Sequence, residues 1–236
     1  MRQLCVFAGA AKGIHDHYER ESERLGGMLA ARNFSVIYGG GRTGLMGAFA
    51  RGALNAGGHV TGIIPHFLES LEVGNGDIQK LLIVESMHER KATMYKDSAG
   101  FVVLPGGLGT LDEMMEVMTW KQLGLLQAPV FALDIAGYWQ PLLGMMDHAE
   151  KQGFIHNRGI IDFHVGSDPD HLVDLIDQQG RLIRYTIVES IEANPSDGRI
   201  SIASPLGSSL IGKTAKDIVE WGNGLQRHKL QLVKIT

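Results

Sequence analysis

Short apolar runs alternate with longer amphipathic stretches along residues 1–180. A short apolar run bounded by turn residues is typical of a buried strand, and an apolar period of about 3.6 residues is typical of a helix. The predicted strands are Leu4–Ala8, Ser35–Tyr38, His59–Ile64, Leu81–Ser86, Phe101–Leu104, Pro129–Asp134 and Asp162–Val165. The predicted helices are His15–Arg32, Leu45–Ala56, His88–Ala99, one after the N-cap Thr110, Tyr138–Gln152, and Pro169–Gln179 after the N-cap Asp168. This alternation predicts an α/β fold, a doubly wound, Rossmann-like parallel sheet with helices on both faces.

The pattern changes after Gly180. Arg184–Glu189, Arg199–Ala203 and Lys229–Ile235 are predicted strands with no long helix between them. Two turn-rich stretches, residues 194–198 and 204–207, separate these strands. We therefore predict two domains, residues 1–180 and a small antiparallel or mixed β module at residues 181–236.

Three glycine-rich loops, at residues 9–13, 39–47 and 106–109, follow predicted strands. Ligands of a doubly wound fold bind beyond the carboxyl ends of its strands, so Gly9, Gly40 and Gly41 are candidate binding residues. The second loop has the spacing G-x-x-G-x-x-G, which is not the dinucleotide fingerprint, and no glycine stands in the frame of a P-loop. NAD and ATP are therefore disfavoured, and no cofactor is expected.

The stretch Phe101–Gly124 combines a strand, the Pro105-Gly106-Gly107 stop and a helix. Leu111, Met114, Met115 and Met118 are spaced as one apolar helix face. A glycine loop that leads into a helix N-terminus presents backbone N–H groups and the positive end of the helix dipole to one point. We predict that an anion binds there, most simply a phosphate.

Acidic residues occupy the other side of this predicted helix. Glu113, Glu116 and Trp120 are spaced by threes and fours, so they are expected to project away from the methionine face. Glu113 in the first turn would lie beside a bound phosphate, within reach of a sugar. In the alternative interpretation, Asp112 and Glu113 only complement the helix dipole.

Met87-His88-Glu89-Arg90-Lys91 places two cations at the start of a predicted helix, where they oppose the dipole. Local rules are most often broken at functional sites. Arg90 could make paired contacts to a phosphate or ribose, and Lys91 could add charge. The alternative is a solvated surface turn.

Composition narrows the class of protein. Of the 236 residues, 44% are hydrophobic and 20% charged, which predicts a globular chain with a sizeable core. Cys5 is the single cysteine and the N-terminus lacks the pattern of a secretion signal, so we expect a cytoplasmic location. The histidines show no H-x-x-x-H pair, so no metal site is expected. No apolar run is long enough to span a bilayer, so membrane binding is not expected. Direct binding to nucleic acid is not expected either. Residues 181–236 hold 8 Lys and Arg against 5 Asp and Glu, whereas the whole chain has a net charge of −4.

Met87–Lys91, followed by Pro105–Glu113 and by Thr119-Trp120, resembles the Lonely Guy (LOG) family of cytokinin-activating phosphoribohydrolases. The resemblance runs from Cys5 to about residue 180. The family is also labelled "lysine decarboxylase", but no lysine here stands in a context that suggests a pyridoxal Schiff base. The resemblance implies hydrolysis of the N-glycosidic bond of an adenosine 5′-monophosphate, often N6-modified, to free base and ribose 5-phosphate.

The resemblance also implies roles for individual residues. Arg90 and Glu113 match the catalytic pair, with Glu113 stabilising the ribosyl cation and activating water while Arg90 orients ribose and phosphate. The positions that match nucleotide-binding residues are Lys91, Gly106, Gly107, Gly109, Thr110 and Thr119. Glu72 matches a substrate-contacting acid, and Glu116, on the side of Glu113, is a further candidate substrate-binding residue.

Two departures from the family pattern leave base preference open: Ala10-Ala11 stands where the family has a serine, and Arg42-Thr43 follows Gly41 in place of smaller residues. Family members are usually dimers, so a homodimer is expected, which would explain Trp120 outside the core. The altered first loop also keeps a second hypothesis open, a nucleotide sensor or carrier that binds without cleaving.

The tail resembles a different family. Gly198–Ile202, Ser204–Gly207 and Leu210–Gly212, with Leu230–Ile235, are similar to the C-terminal domain of Gre transcript-cleavage factors and of the related nucleoside diphosphate kinase regulator. That resemblance implies an FKBP-like fold and contact with RNA polymerase. The acidic coiled coil of the Gre factors is absent from this sequence, so transcript cleavage is not implied. A stabilising appendage is the alternative.

Overall fold

The computed structural model describes residues 2–68, 74, 76–155, 163–178, 186–193, 199–214, 217–223 and 226–231. The chain divides into two compact units, residues 1–179 and 180–236. Within the described residues, no helix has the length and apolar character needed to cross a membrane. Glu72, one of the candidate binding residues, lies outside the described residues.

The first unit is built on a seven-stranded sheet in which every pair of neighbouring strands is parallel. The spatial order is β4-β3-β2-β1-β5-β6-β7, so the order reverses direction between β1 and β5. The strands are β1 (Gln3–Phe7), β2 (Ser35–Tyr38), β3 (Val60–Pro65), β4 (Lys80–Val84), β5 (Gly100–Val103), β6 (Val130–Leu133) and β7 (Phe163–Gly166). The predicted doubly wound parallel sheet is confirmed.

Helices cover both faces of this sheet in the described part of the first unit. They are α1 (His17–Ala31), α2 (Gly44–Asn55), α3 (Met87–Tyr95), α4 (Leu108–Gln122), α5 (Gln140–Lys151) and α6 (Pro169–Gln178). Leu4 and Val6 of β1 pack with α1, α2 and α6, whereas Cys5 and Phe7 pack with α3, α4 and α5. Because successive strand residues point to opposite faces and both faces are covered, Leu4–Phe7 of β1 and all of β5 are apolar without alternation.

Two helices start or stop at points that the apolar period does not mark. Helix α3 begins after Ser86, whose hydroxyl accepts a hydrogen bond from the Glu89 amide, and it ends at Tyr95 rather than Ala99. Asp97 with φ of 60° turns the chain back toward β5. Helix α5 begins at Gln140 rather than Tyr138, because Ile135–Gly137 form a 3₁₀ turn first.

The predicted N-cap of α6 is confirmed. The Asp168 carboxylate accepts a hydrogen bond from the His171 amide at 3.0 Å, and Pro169 follows at the first helical position. This hydrogen bond is the main reason that the pKa of Asp168 is lowered.

Replacing Asp168 with alanine should lower the free energy of unfolding by about 1 kcal/mol at pH 7, because the cap is lost. The pKa of this carboxyl is lower in the folded state than its unfolded value of about 3.9, so its contribution is present above that pH and is lost as pH falls through the folded pKa. Urea unfolding at neutral and strongly acidic pH measures both effects. Asp174→Ala, an exposed acid inside the same helix, is the matched control, and an equal loss in both variants would contradict the assignment.

In the second unit, the described residues form two pairs of strands and one short α-helix. Strand β8 (Thr186–Val188) runs parallel to β9 (Arg199–Ser201), and β10 (Ile218–Asn223) runs antiparallel to β11 (Gln226–Gln231). Ile200, Leu210 and Val219 form its small core. No long helix was predicted between these strands, and α7 (Pro205–Leu210) is a short one of six residues, before which the Ser204 hydroxyl accepts a hydrogen bond from the Gly207 amide. The sequence interpretation missed β10, and the end of the predicted last strand, residues 232–236, lies outside the described residues.

Candidate active site

A cavity of about 510 Å³ opens at the carboxyl edge of the sheet, where the strand order reverses between β1 and β5. At such a reversal the connections leave neighbouring strands toward opposite faces, so a crevice remains between them. All three glycine loops contribute to its walls, residues 9–13 and 106–109 most fully and residues 39–47 through Gly39, Leu45 and Met46, together with the starts of α3 and α4. The two loops are joined by a hydrogen bond from the Gly9 amide to the Pro105 carbonyl at 3.0 Å.

The N-terminus of α4 faces this cavity. Gly107 is the N-cap, and the first amide that bonds within the helix is that of Leu111, which donates to the Gly107 carbonyl at 3.0 Å. The amides of Leu108, Gly109 and Thr110 precede that bond, so helix geometry gives them no intrahelical acceptor. Gly107, Gly109 and Thr110 line the cavity. The arrangement can bind an anion through backbone N–H groups.

Thr110 is not the N-cap, contrary to the sequence prediction. It is the third residue of the helix and is buried, and its side chain occupies the space that a Cβ atom on Gly106 would need. A larger residue at position 106 would therefore push the threonine and the loop apart. Gly106 and Thr110 are thus matched in shape, which brings the turn close to the helix.

The buried face of α4 differs from the predicted one. Thr110, Glu113, Met114, Val117, Met118 and Lys121 are the buried residues of this helix. Leu111 and Met115 are only half-buried, and Glu113, predicted on the opposite side, is 8% exposed and lines the cavity. It lies in the second helical turn and the first turn contains no acid, so the alternative of a dipole-complementing carboxylate is wrong.

The charge of Glu113 acts on two buried groups behind the cavity. Burial raises the pKa of the Cys5 thiol in β1, and the negative charge of Glu113 raises it further. Burial and the same charge raise the pKa of the Tyr95 hydroxyl. Glu113 itself is buried and lines the cavity, and a charge with so little contact with water acts more strongly on a bound ligand than an exposed charge does.

Arg90 of α3 is buried at 5% exposure, so the alternative of a solvated surface turn is wrong. Its Nη2 donates to the Gly39 carbonyl at 2.7 Å, and its Nε donates to the Ile63 carbonyl at 3.1 Å. These carbonyls lie at the ends of β2 and β3. Gly39 lacks a Cβ atom, and one there would occupy the space of the guanidinium. The sheet therefore holds the Arg90 cation at the cavity wall.

Lys91 and Glu116 form a separate cluster between α3 and α4. The Lys91 ammonium lies 3.0 Å from the Glu116 carboxylate and 3.1 Å from that of Asp112. The Tyr95 hydroxyl donates to Glu116 at 2.9 Å. Burial lowers the pKa of Lys91, but its hydrogen bonds to the two carboxylates outweigh burial, so the pKa is raised overall. The cluster fixes the helix that carries Arg90 against the helix that carries Glu113.

The second glycine loop has a structural role in the described fold. The Gly9 carbonyl accepts hydrogen bonds from the amides of Leu45 and Met46, at 2.9 and 3.2 Å. The first amides of α2 therefore already have a protein acceptor. Gly40 has φ of 80° and packs against β3, and Gly41 accepts a hydrogen bond from the Tyr38 hydroxyl. Among the glycine loops, the start of α4 is the better anion site.

The candidate residues therefore separate into two groups. Those at the cavity are Gly9, Arg90, Gly106, Gly107, Gly109, Thr110 and Glu113. Gly40, Gly41, Lys91, Glu116 and Thr119 lie outside the cavity walls of this chain. Thr119 is exposed, and its hydroxyl donates to the Met115 carbonyl at 2.7 Å.

The sequence interpretation missed several residues of the cavity wall: Lys12, Tyr18, Gly39, Met46, Met87 and Tyr138. Gly39 and Met87 stand in motifs that were recognised, next to the residues that were chosen. Tyr18 and Tyr138 come from α1 and from the turn after β6, and their ring centroids lie 6.1 Å apart. No local pattern connects residues so distant in the chain.

Comparison with known proteins identifies two regions of the chain. Residues 46–176 match the family described as "Possible lysine decarboxylase", and residues 169–236 match the C-terminal family of the transcription elongation factors GreA and GreB. The chain is similar in fold to a molybdenum cofactor binding protein from Rippkaea orientalis, with TM-score 0.55 and 20% identity over 75% of this chain and 95% of that one. A carrier protein for the same cofactor from Chlamydomonas reinhardtii gives TM-score 0.56 at 20% identity, over 75% and 96%. At this identity the likeness concerns the fold alone.

Curated relatives are much closer in sequence. The chain is 38% identical to the probable cytokinin riboside 5′-monophosphate phosphoribohydrolase LOGL2 of Oryza sativa subsp. japonica, over 75% of this chain and 72% of that protein. It is 42% identical to the cytokinin riboside 5′-monophosphate phosphoribohydrolase LOG1 of Arabidopsis thaliana, over 65% and 72%. It is 46% identical to the probable enzyme LOGL9 of rice, over 65% and 68%. The chain belongs to the LOG family of cytokinin riboside 5′-monophosphate phosphoribohydrolases.

Proposed function

We propose that the protein hydrolyses the N-glycosidic bond of adenosine 5′-monophosphate, with or without an N6 substituent, to free base and ribose 5-phosphate. The observation that carries this proposal is the placement of Glu113 and Arg90 on the wall of one cavity, beside the amides that begin α4. The relatives at 38–46% identity are named for this reaction.

The phosphate binds at the start of α4 in this proposal. The amides of Leu108, Gly109 and Thr110 donate to its oxygens, and the helix dipole favours its charge. Glu113 lies one turn further along the helix, and a turn advances about 5.4 Å. The ribose of a nucleotide anchored at the amides would therefore lie beside this carboxylate.

Cleavage requires stabilisation of positive charge on the ribose. As the N-glycosidic bond breaks, its electron pair leaves with the base, and the sugar becomes an oxocarbenium-like cation. The fixed Glu113 carboxylate stabilises that cation and accepts a proton from the water that attacks the anomeric carbon. The leaving base takes up a proton from solvent, and Glu113 releases its proton to solvent, so the net reaction consumes one water. Arg90, held by two backbone carbonyls, orients the ribose and phosphate.

Binding roles for the candidates outside the cavity remain predictions. Lys91 and Glu116 already pair with each other, so we assign them first to holding α3 against α4. Contact of Thr119 with the nucleotide, and of Glu72, which lies outside the described residues, stays a prediction from the family resemblance.

The test is incubation of the full-length protein with AMP, N6-isopentenyl-AMP and adenosine, followed by chromatography of the products. We expect free base and ribose 5-phosphate from the two nucleotides, and at least tenfold slower release from adenosine, which lacks the phosphate anchor. Binding of AMP with no release of base would instead support the carrier hypothesis. The same experiment ranks AMP against its N6-modified form and so addresses base preference.

For the assembly we infer a homodimer. Leu123 and Leu125, just after α4, are 66% and 72% exposed, and burying them against a second copy of the chain would remove apolar surface from water. Light scattering of the purified protein measures the mass, and a monomer at all concentrations would contradict the inference. A cytoplasmic location also stays a prediction, which cell fractionation tests.

The second unit, assigned to residues 181–236, is proposed to contact RNA polymerase. Its support is the match of residues 169–236 to the GreA/GreB C-terminal family and its excess of basic over acidic residues. An FKBP-like fold for this unit remains part of the same proposal.

Removing residues 181–236 should reduce recovery of RNA polymerase in a pull-down at least fivefold relative to the full-length chain. The shortened chain keeps the cavity, since every residue that lines it precedes Gln179. Its AMP hydrolysis is therefore the control for folding. Equal recovery of polymerase by both proteins would favour a stabilising appendage.

A further inference from the structure

The turn between β6 and α5 is held firmly at an unusual conformation. Ala136 has φ of 52° and ψ of 34°, a left-handed geometry that is unfavourable for a residue with a Cβ atom. The buried carboxylate of Asp134 accepts hydrogen bonds from the Trp139 amide at 2.7 Å and from the Gln140 side chain at 2.5 Å. Such conformations persist only where the surrounding structure imposes them, and they are frequent near functional sites.

This turn delivers Tyr138 to the wall of the nucleotide cavity. The Tyr138 hydroxyl donates a hydrogen bond to the Gly106 carbonyl at 2.6 Å. Its ring packs edge-on against Tyr18 and Trp139, with centroid distances of 6.1 and 4.8 Å. The tyrosine is therefore restrained at its ring by two aromatic neighbours and at its tip by the loop after β5.

The Gly106 carbonyl belongs to the peptide unit that leads into α4. In a trans peptide the carbonyl and the following N–H point in opposite directions, so a bond that fixes the Gly106 oxygen also fixes the direction of the Gly107 N–H. The unit lies between two glycines, which resist rotation less than any other residue. A side-chain hydrogen bond is thus the kind of restraint that this turn needs.

We propose that Tyr138 is a positioning residue for the phosphate-binding turn, acting through the Gly106 carbonyl. This inference rests on the proposed function, because it assigns the ligand phosphate to the amides that follow Gly107. The hydroxyl orders the turn before a ligand arrives, so less conformational freedom is lost on binding. The effect applies to ligands that carry a phosphate and not to the chemistry at the sugar.

The test is Tyr138→Phe, which removes the hydroxyl and keeps the ring. One lost hydrogen bond of this kind corresponds to a factor of roughly 3–10 in affinity. We expect KM for AMP to rise by that factor, with kcat within about twofold of wild type. The inhibition constant of inorganic phosphate should rise by the same factor, while the dissociation constant of adenosine, measured by calorimetry, should not change.

Ser98→Ala is the matched control, because the Ser98 hydroxyl donates to the Met94 carbonyl at 2.9 Å, away from the cavity. It should leave KM and the phosphate inhibition constant unchanged. Asp134→Asn is the second variant. It loosens the turn but keeps the Tyr138 hydroxyl. KM for AMP should therefore rise, but by a smaller factor than in Tyr138→Phe.

Two results would overturn the inference while the proposed function stands. One is wild-type KM and phosphate inhibition in Tyr138→Phe, and the other is equal weakening of AMP and adenosine, which would indicate general loosening of the cavity. Failure of the wild-type protein to release base from AMP is a different outcome, and it would contradict the proposed function itself.

Discussion

Glu113→Gln should lower kcat for AMP hydrolysis by on the order of 10³-fold, with the dissociation constant for AMP within about threefold of wild type. The substitution keeps the shape of a buried side chain at the cavity wall but removes the negative charge that opposes the oxocarbenium-like cation. Because that cation exists only in the transition state, the loss appears in kcat rather than in binding. Rate assays with calorimetry on the same preparation measure both quantities.

Asp112→Asn is the matched comparison for this variant. Asp112 is the preceding residue and also reaches the cavity, but its side chain is 62% exposed and pairs with Lys91. Its loss of activity should stay within about tenfold. Comparable rates for the wild type and Glu113→Gln would show that the carboxylate does not act in the reaction.

Arg90→Ala should reduce kcat/KM by roughly 10²-fold or more and also lower thermal stability. The guanidinium satisfies the buried carbonyls of Gly39 and Ile63, and a buried acceptor left without its partner costs about 1–3 kcal/mol. For a domain of this size that corresponds to a shift in Tm of roughly 2–4 °C per kcal/mol. Steady-state kinetics and a thermal melt measure the two losses separately.

Arg90→Lys separates charge from geometry. Lysine keeps the positive charge but has no planar fork that reaches two carbonyls, so activity should remain well below wild type. Arg51→Ala is the control, since Arg51 lies half exposed on α2 and pairs with Glu23. Wild-type activity in Arg90→Lys would mean that charge alone is sufficient at this position.

The sheet was predictable because its central strands are covered on both faces. Residues Leu4–Phe7 and Phe101–Leu104 are apolar without alternation, which marks them as buried strands before any contact is known. The capping residue Asp168 was likewise visible from its place before Pro169. The end of α3 and the start of α5 were not predictable. A left-handed residue follows α3, and a 3₁₀ turn delays the start of α5.

The face of α4 was mistaken because its buried stripe contains polar residues. The Lys121 ammonium donates to the carbonyls of Gln127 and Ala128, at 3.1 and 2.6 Å, and so can be buried. Glu113 is also buried, and it lines the cavity. Apolar periodicity treats both residues as exposed, so the stripe appears rotated toward Leu111 and Met115.

The glycine turn and its acid were recognisable as motifs, but their supports were not. Tyr138 reaches Gly106 across 32 residues of chain, and Arg90 reaches Gly39 across 51. Each contact depends on the order of strands in the sheet, which brings the loops after β1, β2, β5 and β6 to one edge. Residues that act through such contacts become visible only when the topology is known.

A crystal structure of Glu113→Gln with AMP bound tests the central claim most directly, because the variant binds the nucleotide without consuming it. The account predicts the phosphate within hydrogen-bonding distance of the amides of Leu108, Gly109 and Thr110, with the anomeric carbon facing position 113 and the ribose beside Arg90. AMP bound in the opposite orientation, or outside the cavity, would contradict it.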